Sequence, residues 1–357
     1  MAFRFLKSMF LVCAVLALTA ISSSAMPIGS VTVTADPATL INAIVDVTNI
    51  TLMPGSFNYV GHVSGLQSGT FINGGTDVGF ATGIILSTGR ADNVQFNILN
   101  DQNYGSTNLD LLKAPEIRGQ ALPRSDLWST GWGGPVSGVD DLKILARRDI
   151  NTPLDSIEVF DPNVLEFGFT LGVGAWNLNF DYVFASEEYV NFINSPFNDA
   201  FGFFIDGQNV AVLSDGTIVS VNSIFPTDPN NDTPAVIAAA HSQFYRNNVP
   251  GYFTQAQYLA DEDPNTGAHP NPTIPSLNLT IEPDGLSTVL AAQALTLGPG
   301  QHSVRLIIGD LASNEVDSAV FVRGGSFSAT PVIPEPGTLI LIGTGLAAMA
   351  FVRRRIR

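Results

Sequence analysis

Short runs rich in valine, isoleucine, phenylalanine and threonine alternate with polar residues along this chain. Glycine, proline, asparagine and aspartate interrupt them every few residues. No other feature constrains the fold as much. β-branched and aromatic side chains suit a pleated, half-buried surface, and turn residues at such intervals leave no room for long helices. The runs Asn58–Val63, Gly83–Ser87, Val164–Leu171, Trp176–Ala185, Ala200–Ile205, Val210–Leu213, Leu277–Ile281, Thr288–Ala294, His302–Ile308 and Asp317–Arg323 predict strands. Helical spacing is confined to Pro37–Val45, behind an aspartate cap at Asp36, and to the alanine-rich Ala235–Tyr245. Many short strands without strand–helix alternation predict an all-β chain. The expected architecture is a mostly antiparallel two-sheet β-sandwich, jelly-roll-like, with long loops and one or two short helices. Ala91–Pro153 and Pro226–Ser276 lack the strand rhythm and are the expected loops.

The first residues set the compartment. Met1–Ala25 carries Arg4 and Lys7, then an apolar stretch Met9–Ile21, then the small residues Ser23-Ser24-Ala25. This is the pattern of a secretory signal peptide rather than of folded structure. The chain's one cysteine, Cys13, falls inside that stretch. The exported body therefore has no thiol, which excludes a disulfide framework, a thiolate metal site and a cysteine nucleophile. The whole chain has a net charge of −16, and losing its basic ends leaves the body more acidic still. Such a charge opposes binding to nucleic acid or to anionic lipid, and it is compatible with calcium sites.

At the other end Pro334-Glu335-Pro336 precedes the apolar run Thr338–Val352, and Arg353-Arg354-Arg355-Ile356-Arg357 follows it. The prolines keep the backbone extended and open to an enzyme. The run is uncharged, as a membrane helix must be, but at about 1.5 Å per residue it covers only roughly 22 Å of a ~30 Å hydrocarbon core. The arginines hold the end on the cytoplasmic side. In combination these features resemble the PEP-CTERM sorting signal of Gram-negative bacteria. The resemblance implies transient insertion in the inner membrane, recognition by an exosortase, and display at the cell surface or in the extracellular matrix. Three regions are expected: a signal peptide at 1–25, a β-sandwich domain at 26–330 and a sorting signal at 331–357.

The densest segment runs from Phe180 through Glu187-Glu188 to Phe197-Asn198-Asp199 and on to Gly207. Neighbouring residues of a strand point to opposite faces, so Glu187 and Glu188 are not a pair. Phe180, Tyr182, Phe184, Ser186 and Glu188 share one face; in the next strand Asp199, Phe201, Phe203 and Ile205 are in phase. Glu188 and Asp199 then stand at the ends of core-facing aromatic rows, where a carboxylate needs hydrogen bonds or a metal. Asp310 and Asp317 bracket the loop between two late strands and belong at the same end. Glu187, Glu188, Asp199, Asp310 and Asp317 are accordingly a candidate calcium set, because calcium takes oxygen ligands. Plain hydrogen bonding by nearby Ser195 and Asn198, and strand initiation at Asp317-Ser318, are the competing readings.

Phe180-Asp-Tyr-Val-Phe-Ala-Ser-Glu-Glu-Tyr189, followed by Phe197-Asn-Asp-Ala-Phe-Gly-Phe-Phe-Ile205, resembles the core signature of the choice-of-anchor L domain. Gly83–Gly89, Val164–Phe169, Gly300–Asp310 and Val316–Val322 resemble its other motifs, in the expected order. The resemblance implies a β-rich surface domain with varied C-terminal attachment signals and brings no enzymatic activity with it. The Pro226–Ser276 insertion departs from the family pattern.

Nothing else in the chain signals catalysis. His62, His241, His269 and His302 have no metal-ligand spacing, and no nucleophile-elbow, phosphate-loop or dinucleotide motif is present. The expectation is a non-enzymatic surface or matrix protein, adhesive or structural, with the exosortase and secretion machinery as partners and extracellular polysaccharide as a candidate one. Two alternatives stay open. One is a calcium-dependent carbohydrate-binding module, with Tyr245, Tyr252, Phe253 and Tyr258 offering flat faces to sugars. The other is a polysaccharide-active enzyme with its site in the long loops.

Overall fold

The computed structural model describes residues 28, 30–95, 139–146, 153–189, 197–224, 241–248, 277, 279–312 and 317–332. The signal peptide, most of both long loops and the C-terminal tail lie outside the described residues. Fourteen strands are present among those described: β1 (Ser30–Val33), β2 (Ile50–Val60), β3 (Ser68–Ile72), β4 (Thr82–Ser87), β5 (Val159–Leu171), β6 (Trp176–Ser186), β7 (Ala200–Ile205), β8 (Gln208–Asn209), β9 (Tyr245–Asn247), β10 (Gly285–Ser287), β11 (Leu290–Leu297), β12 (Gly300–Leu311), β13 (Ser318–Arg323) and β14 (Ser328–Pro331). They form two antiparallel sheets, as expected.

The larger sheet runs β1-β3-β4-β13-β6-β10-β9, with β11 and β14 also paired to β6. β6 is its spine. One edge takes β13 along Ser186–Tyr182 and then β14 along Asn179–Trp176; the other takes β10 and then β11. The smaller sheet runs β2-β5-β12-β7-β8 and is built around the long β5–β12 ladder.

Side-chain alternation fills three layers. Between the sheets lie Leu165, Phe167 and Phe169 of β5, Val304, Leu306 and Ile308 of β12, and Phe201, Phe203 and Ile205 of β7. They face Phe180, Tyr182 and Phe184 of β6, Val320 and Val322 of β13, and Ile84 and Leu86 of β4. The outer face of the larger sheet is covered as well: Ile85, Val183, Ala185 and Phe321 lie under Val78, Phe80, Val94, Leu279 and Ile281. Outside the smaller sheet lies a short helix, α2 (Asp140–Ala146), whose Leu142 and Leu145 rest on two glycines of the sheet. A Cβ on Gly309 would lie 2.5 Å from Leu142 and one on Gly202 would lie 2.5 Å from Leu145, so the bare backbone is what admits the helix.

One end of the inter-sheet layer is closed by apolar groups. The helix α1 (Pro37–Ile44) starts as expected: the carboxylate of Asp36 accepts from the N–H groups of Ala38 at 3.3 Å and Thr39 at 3.0 Å, a cap worth about 1 kcal/mol. Its Leu40, Ile41 and Ile44 pack into the core. Beside them Phe327 meets Phe167, Phe169 and Phe203 edge-on, with centroids 5.3, 5.4 and 6.0 Å away.

Three expectations are corrected. Val210–Leu213 is not a strand: Val212 makes only an isolated bridge with Ile218, and Ala211 and Leu213 bury in the core between the sheets. The described residues of Leu277–Ile281 form no strand either; Leu279 and Ile281 cover the outer face of the larger sheet. Ala235–Tyr245 is not a helix where it is described, since His241–Phe244 is a 3-10 turn and Tyr245 opens β9. The helix α2 was not expected.

Candidate functional site

At the opposite end of the sandwich the interior rows turn polar, strand after strand. Thr88 follows Leu86 of β4, Ser318 precedes Val320 of β13, and Ser186 and Glu188 follow Phe184 of β6. Asp199 precedes Phe201 of β7, Asp310 follows Ile308 of β12, and Asp161 and Asn163 precede Leu165 of β5. All are buried: Glu188 and Asp310 are 1% exposed, Asp199 0% and Asp161 2%. The β5 row ends at a bulge. The β5–β12 register slips between Ile308 and Asp310, and Asp161 adopts φ +45°, a left-handed conformation that aspartate and asparagine tolerate better than most residues.

Asp199 is the anchored member. Its Oδ1 accepts from the Leu311 N–H at 2.9 Å and its Oδ2 from the Ser318 hydroxyl at 2.6 Å. Glu188 accepts one long bond, 3.3 Å, from the Asp199 N–H. Asp310 lies against the Thr88 hydroxyl and the Asp199 carboxyl, close enough for each contact to act on its titration or that of Asp199, yet neither of its oxygens meets a donor at full hydrogen-bond geometry. The hydroxyl of Tyr189, 1% exposed and within electrostatic reach of Glu188 and Asp199, has none either. Neutral amides knit the surroundings. Gln67 donates to the carbonyls of Thr88 at 2.7 Å and Asp161 at 3.1 Å, and Asn163 donates to those of Gln67 and Ser87.

Burial is the main cause of the electrostatics here. It pushes the carboxyls of Asp161 and Asp199 up to about 7, in the case of Asp199 against the lowering effect of Ser318, Leu311 and the neighbouring Asp310 carboxyl. Glu188 is raised well above the usual range by burial and then by Asp199; Asp310 is raised by burial and then by Asp199, Asp317 and Asp161. Among the described residues none of these four carboxylates makes an ion pair with a lysine, arginine or histidine. Like charges crowded in a dry interior without a counter-ion hold protons or await a cation.

A second acidic group lies next to the first. Glu187 points to the outer face of the larger sheet, as strand alternation requires, with Glu282, Asp284 and Asp317 around it. Its carboxyl is raised by burial first and then by those three neighbours, although Glu187 and Asp284 both keep some solvent-accessible surface that tempers the effect. Asp317 acts on both Glu187 and Asp310.

The structure therefore divides the five acids expected together. Glu188, Asp199 and Asp310 gather between the sheets, Glu187 lies outside, and Asp317 stands at the boundary. Asp161, Asp284 and Glu282 are members that sequence reasoning missed. Asp161 stands four residues before Leu165 and on the same face, but ahead of Val164, where the expected strand begins; its parity with Leu165 was the available signal. Among the described residues no three acidic or histidine side chains are already disposed to hold a metal ion. His302 sits elsewhere, on the Asp206 carboxylate at 2.7 Å, and the Nδ1 of His62 contacts Ser64 at 2.8 Å. Tyr245 is not available to sugars: it is buried, with its ring 5.0 Å from that of Tyr189. Tyr252, Phe253 and Tyr258, and the sorting residues Pro334, Glu335, Pro336, Arg353, Arg354 and Arg355, lie outside the described residues. Among those described, no helix is long and apolar enough to cross a membrane.

Fold and site together define an all-β sandwich domain with one apolar end and one buried acidic end. Its family follows from comparison of the sequence. The chain belongs to the choice-of-anchor L domain family, whose model matches residues 32–328. The PEP-CTERM protein-sorting motif matches residues 332–355, which makes the protein an exported cell-surface protein processed by an exosortase. These families are anchor and sorting-signal domains, not enzyme families. No curated protein and no solved structure matches the chain.

Proposed function

We propose that this protein is a non-enzymatic component of the surface or extracellular matrix of a Gram-negative bacterium, adhesive or structural in role. It is made with a signal peptide at 1–25 and held transiently in the inner membrane by its C-terminal helix until the exosortase acts. The observation that carries the non-enzymatic reading is the burial of the acids. Glu188, Asp199 and Asp310 are 0–1% exposed and walled in by both sheets. A polysaccharide-cleaving carboxyl pair must flank a glycosidic bond across an open cleft. Groups sealed in this way serve architecture rather than turnover. The expected partner is extracellular polysaccharide or another matrix component, met through the exterior of the sandwich.

The test compares cells lacking the protein with cells producing it and with cells producing Asp199→Asn. Loss of surface attachment or of matrix cohesion in the deletion strain, with no sugar released by the purified protein from the cells' own polysaccharide, is the expected result. Release of sugar by the wild type, abolished in a folded Asp199→Asn variant, overturns the reading.

A further inference from the structure

Three buried polar groups at the acidic end point to something absent from the protein itself. The Asp310 carboxylate, 1% exposed and in contact with Thr88 and Asp199, meets no donor at full hydrogen-bond geometry, and neither the Tyr189 hydroxyl nor the Asn163 Oδ1 has a partner. Buried polar atoms in a native fold are nearly always satisfied, so orphans converging on one place mark a missing partner. Around them stand Asp199, Glu188 and Asp161, all buried and, among the described residues, without an ion pair.

We propose that the polar end of the sandwich is a calcium site, with Asp199 as the fixed ligand and Asp310, Glu188 and Asp161 closing around the ion. The donor chemistry selects the metal. Every candidate ligand is an oxygen and none is a thiolate or an imidazole, which disfavours zinc and copper. Calcium accepts six to eight oxygens in flexible geometry and tolerates one-atom or two-atom carboxylate binding. Magnesium asks for a near-ideal octahedron that this irregular set does not offer.

The arrangement is not preformed, since no three of these side chains are yet in metal-binding positions. The hydrogen bonds that hold these groups are graded. Asp199 is held by two bonds, at 2.9 and 2.6 Å; Glu188 has one bond of 3.3 Å; Asp310 has only its contacts with Thr88 and Asp199, neither at full hydrogen-bond geometry. The ion then replaces the proton sharing or repulsion that four crowded carboxyls otherwise impose, and ties β5, β6, β7 and β12 together across both sheets. Calcium at this end is independent of whether the protein's surface role is adhesive or structural.

The test uses the exported, tail-processed protein stripped with chelator. Its melting temperature is followed as calcium or magnesium is added, and terbium luminescence excited through Tyr189 and Tyr182 reports occupancy directly. The expected result is a rise of several degrees with calcium, half-complete at about 0.1–1 mM as in extracellular modules, and a terbium signal that calcium displaces. Asp310→Asn, which keeps the shape of the side chain and an oxygen facing Thr88, weakens calcium binding at least tenfold. The exposed control Asp46→Asn leaves it unchanged. If Asp310→Asn does not fold, Glu188→Gln carries the same expectation. No melting shift together with no displaceable terbium signal overturns the proposal. So does an equal shift with magnesium, or wild-type affinity in the folded variant.

Discussion

Replacing Asp161 by asparagine should stabilise the metal-free protein, and by an amount that grows with pH. The substitution preserves shape, and asparagine tolerates the φ of +45° found at this bulge. What it removes is a buried charge. The Asp161 carboxyl is pushed by burial from 3.8 in the unfolded chain to about 7 in the fold. Below pH 4 it is protonated in both states and contributes no difference. Between about pH 4 and pH 7 the folded state binds more protons than the unfolded one, so stability falls as pH rises. Above pH 7 the penalty is complete. At about 1.36 kcal/mol per tenfold change, its ceiling is roughly 4 kcal/mol. Relaxation and water entry reduce such figures, so a gain of about 1–3 kcal/mol at pH 8 is expected for Asp161→Asn, shrinking to about zero at pH 4. Urea unfolding of both proteins in chelator, from pH 4 to pH 8, measures it. A stability difference that stays constant across that range would refute the reasoning, because it would have nothing to do with ionisation.

Other predictions concern the neighbours, the packing and the tail. Ser318→Ala removes the 2.6 Å bond to Asp199 and should cost about 1–3 kcal/mol by urea unfolding, because a buried acceptor loses its donor; an unchanged midpoint would show that the carboxyl finds another partner. Glu188→Gln gives up only a 3.3 Å bond and should destabilise the metal-free protein less than Ser318→Ala does, measured side by side. Gly309→Ala places a Cβ 2.5 Å from Leu142 and should cost about 1–3 kcal/mol through overpacking, whereas Gly172→Ala, with open space around it, should change stability little. Mass spectrometry of the native protein should find Thr338–Arg357 missing; an intact Arg357 terminus would count against exosortase cleavage.

Much of this was legible in the residues. Period-two alternation alone separated Glu187 from Glu188 and put Glu188 and Asp199 at the ends of aromatic rows, because those rows are long enough to fix the phase. Asp310 was brought to this end as one flank of the loop between two late strands, not by its phase. Asp161 was not, since the expected strand begins at Val164, and Pro162 hides that β5 runs back through Asp161 with the same face inward. The helix α2 escaped because seven residues carry too little periodicity, and its two leucines make sense only opposite Gly202 and Gly309. Leu277–Ile281 read as a strand because apolar alternation reports burial, and burial over the back of a sheet looks the same as membership of one. β9 and β10 were missed because three residues apiece cannot show a period. The acidic group around Glu187 draws Glu282 and Asp284 from a segment distant in sequence, and only tertiary contact brings it to that face.

The spine role of β6 has a mechanical side. The sorting motif begins at residue 332, directly after β14, whose only described pairing is to β6 from Ser328–Asn179 to Pro331–Trp176. Tension entering the folded body from that side meets this short ladder first, then the three edge-on rings around Phe327. Pro331 offers no N–H to the last rung, but the next residue does: the Val332 N–H donates to the Ala175 carbonyl at 2.8 Å and is the first bond such a pull loads. Behind it Phe327 is tied by its own backbone, donating to the Ile44 carbonyl at 3.0 Å and accepting from the Asp46 N–H at 2.9 Å. The acidic end lies on the far side of the core, away from the bonds that a pull on the tail loads first.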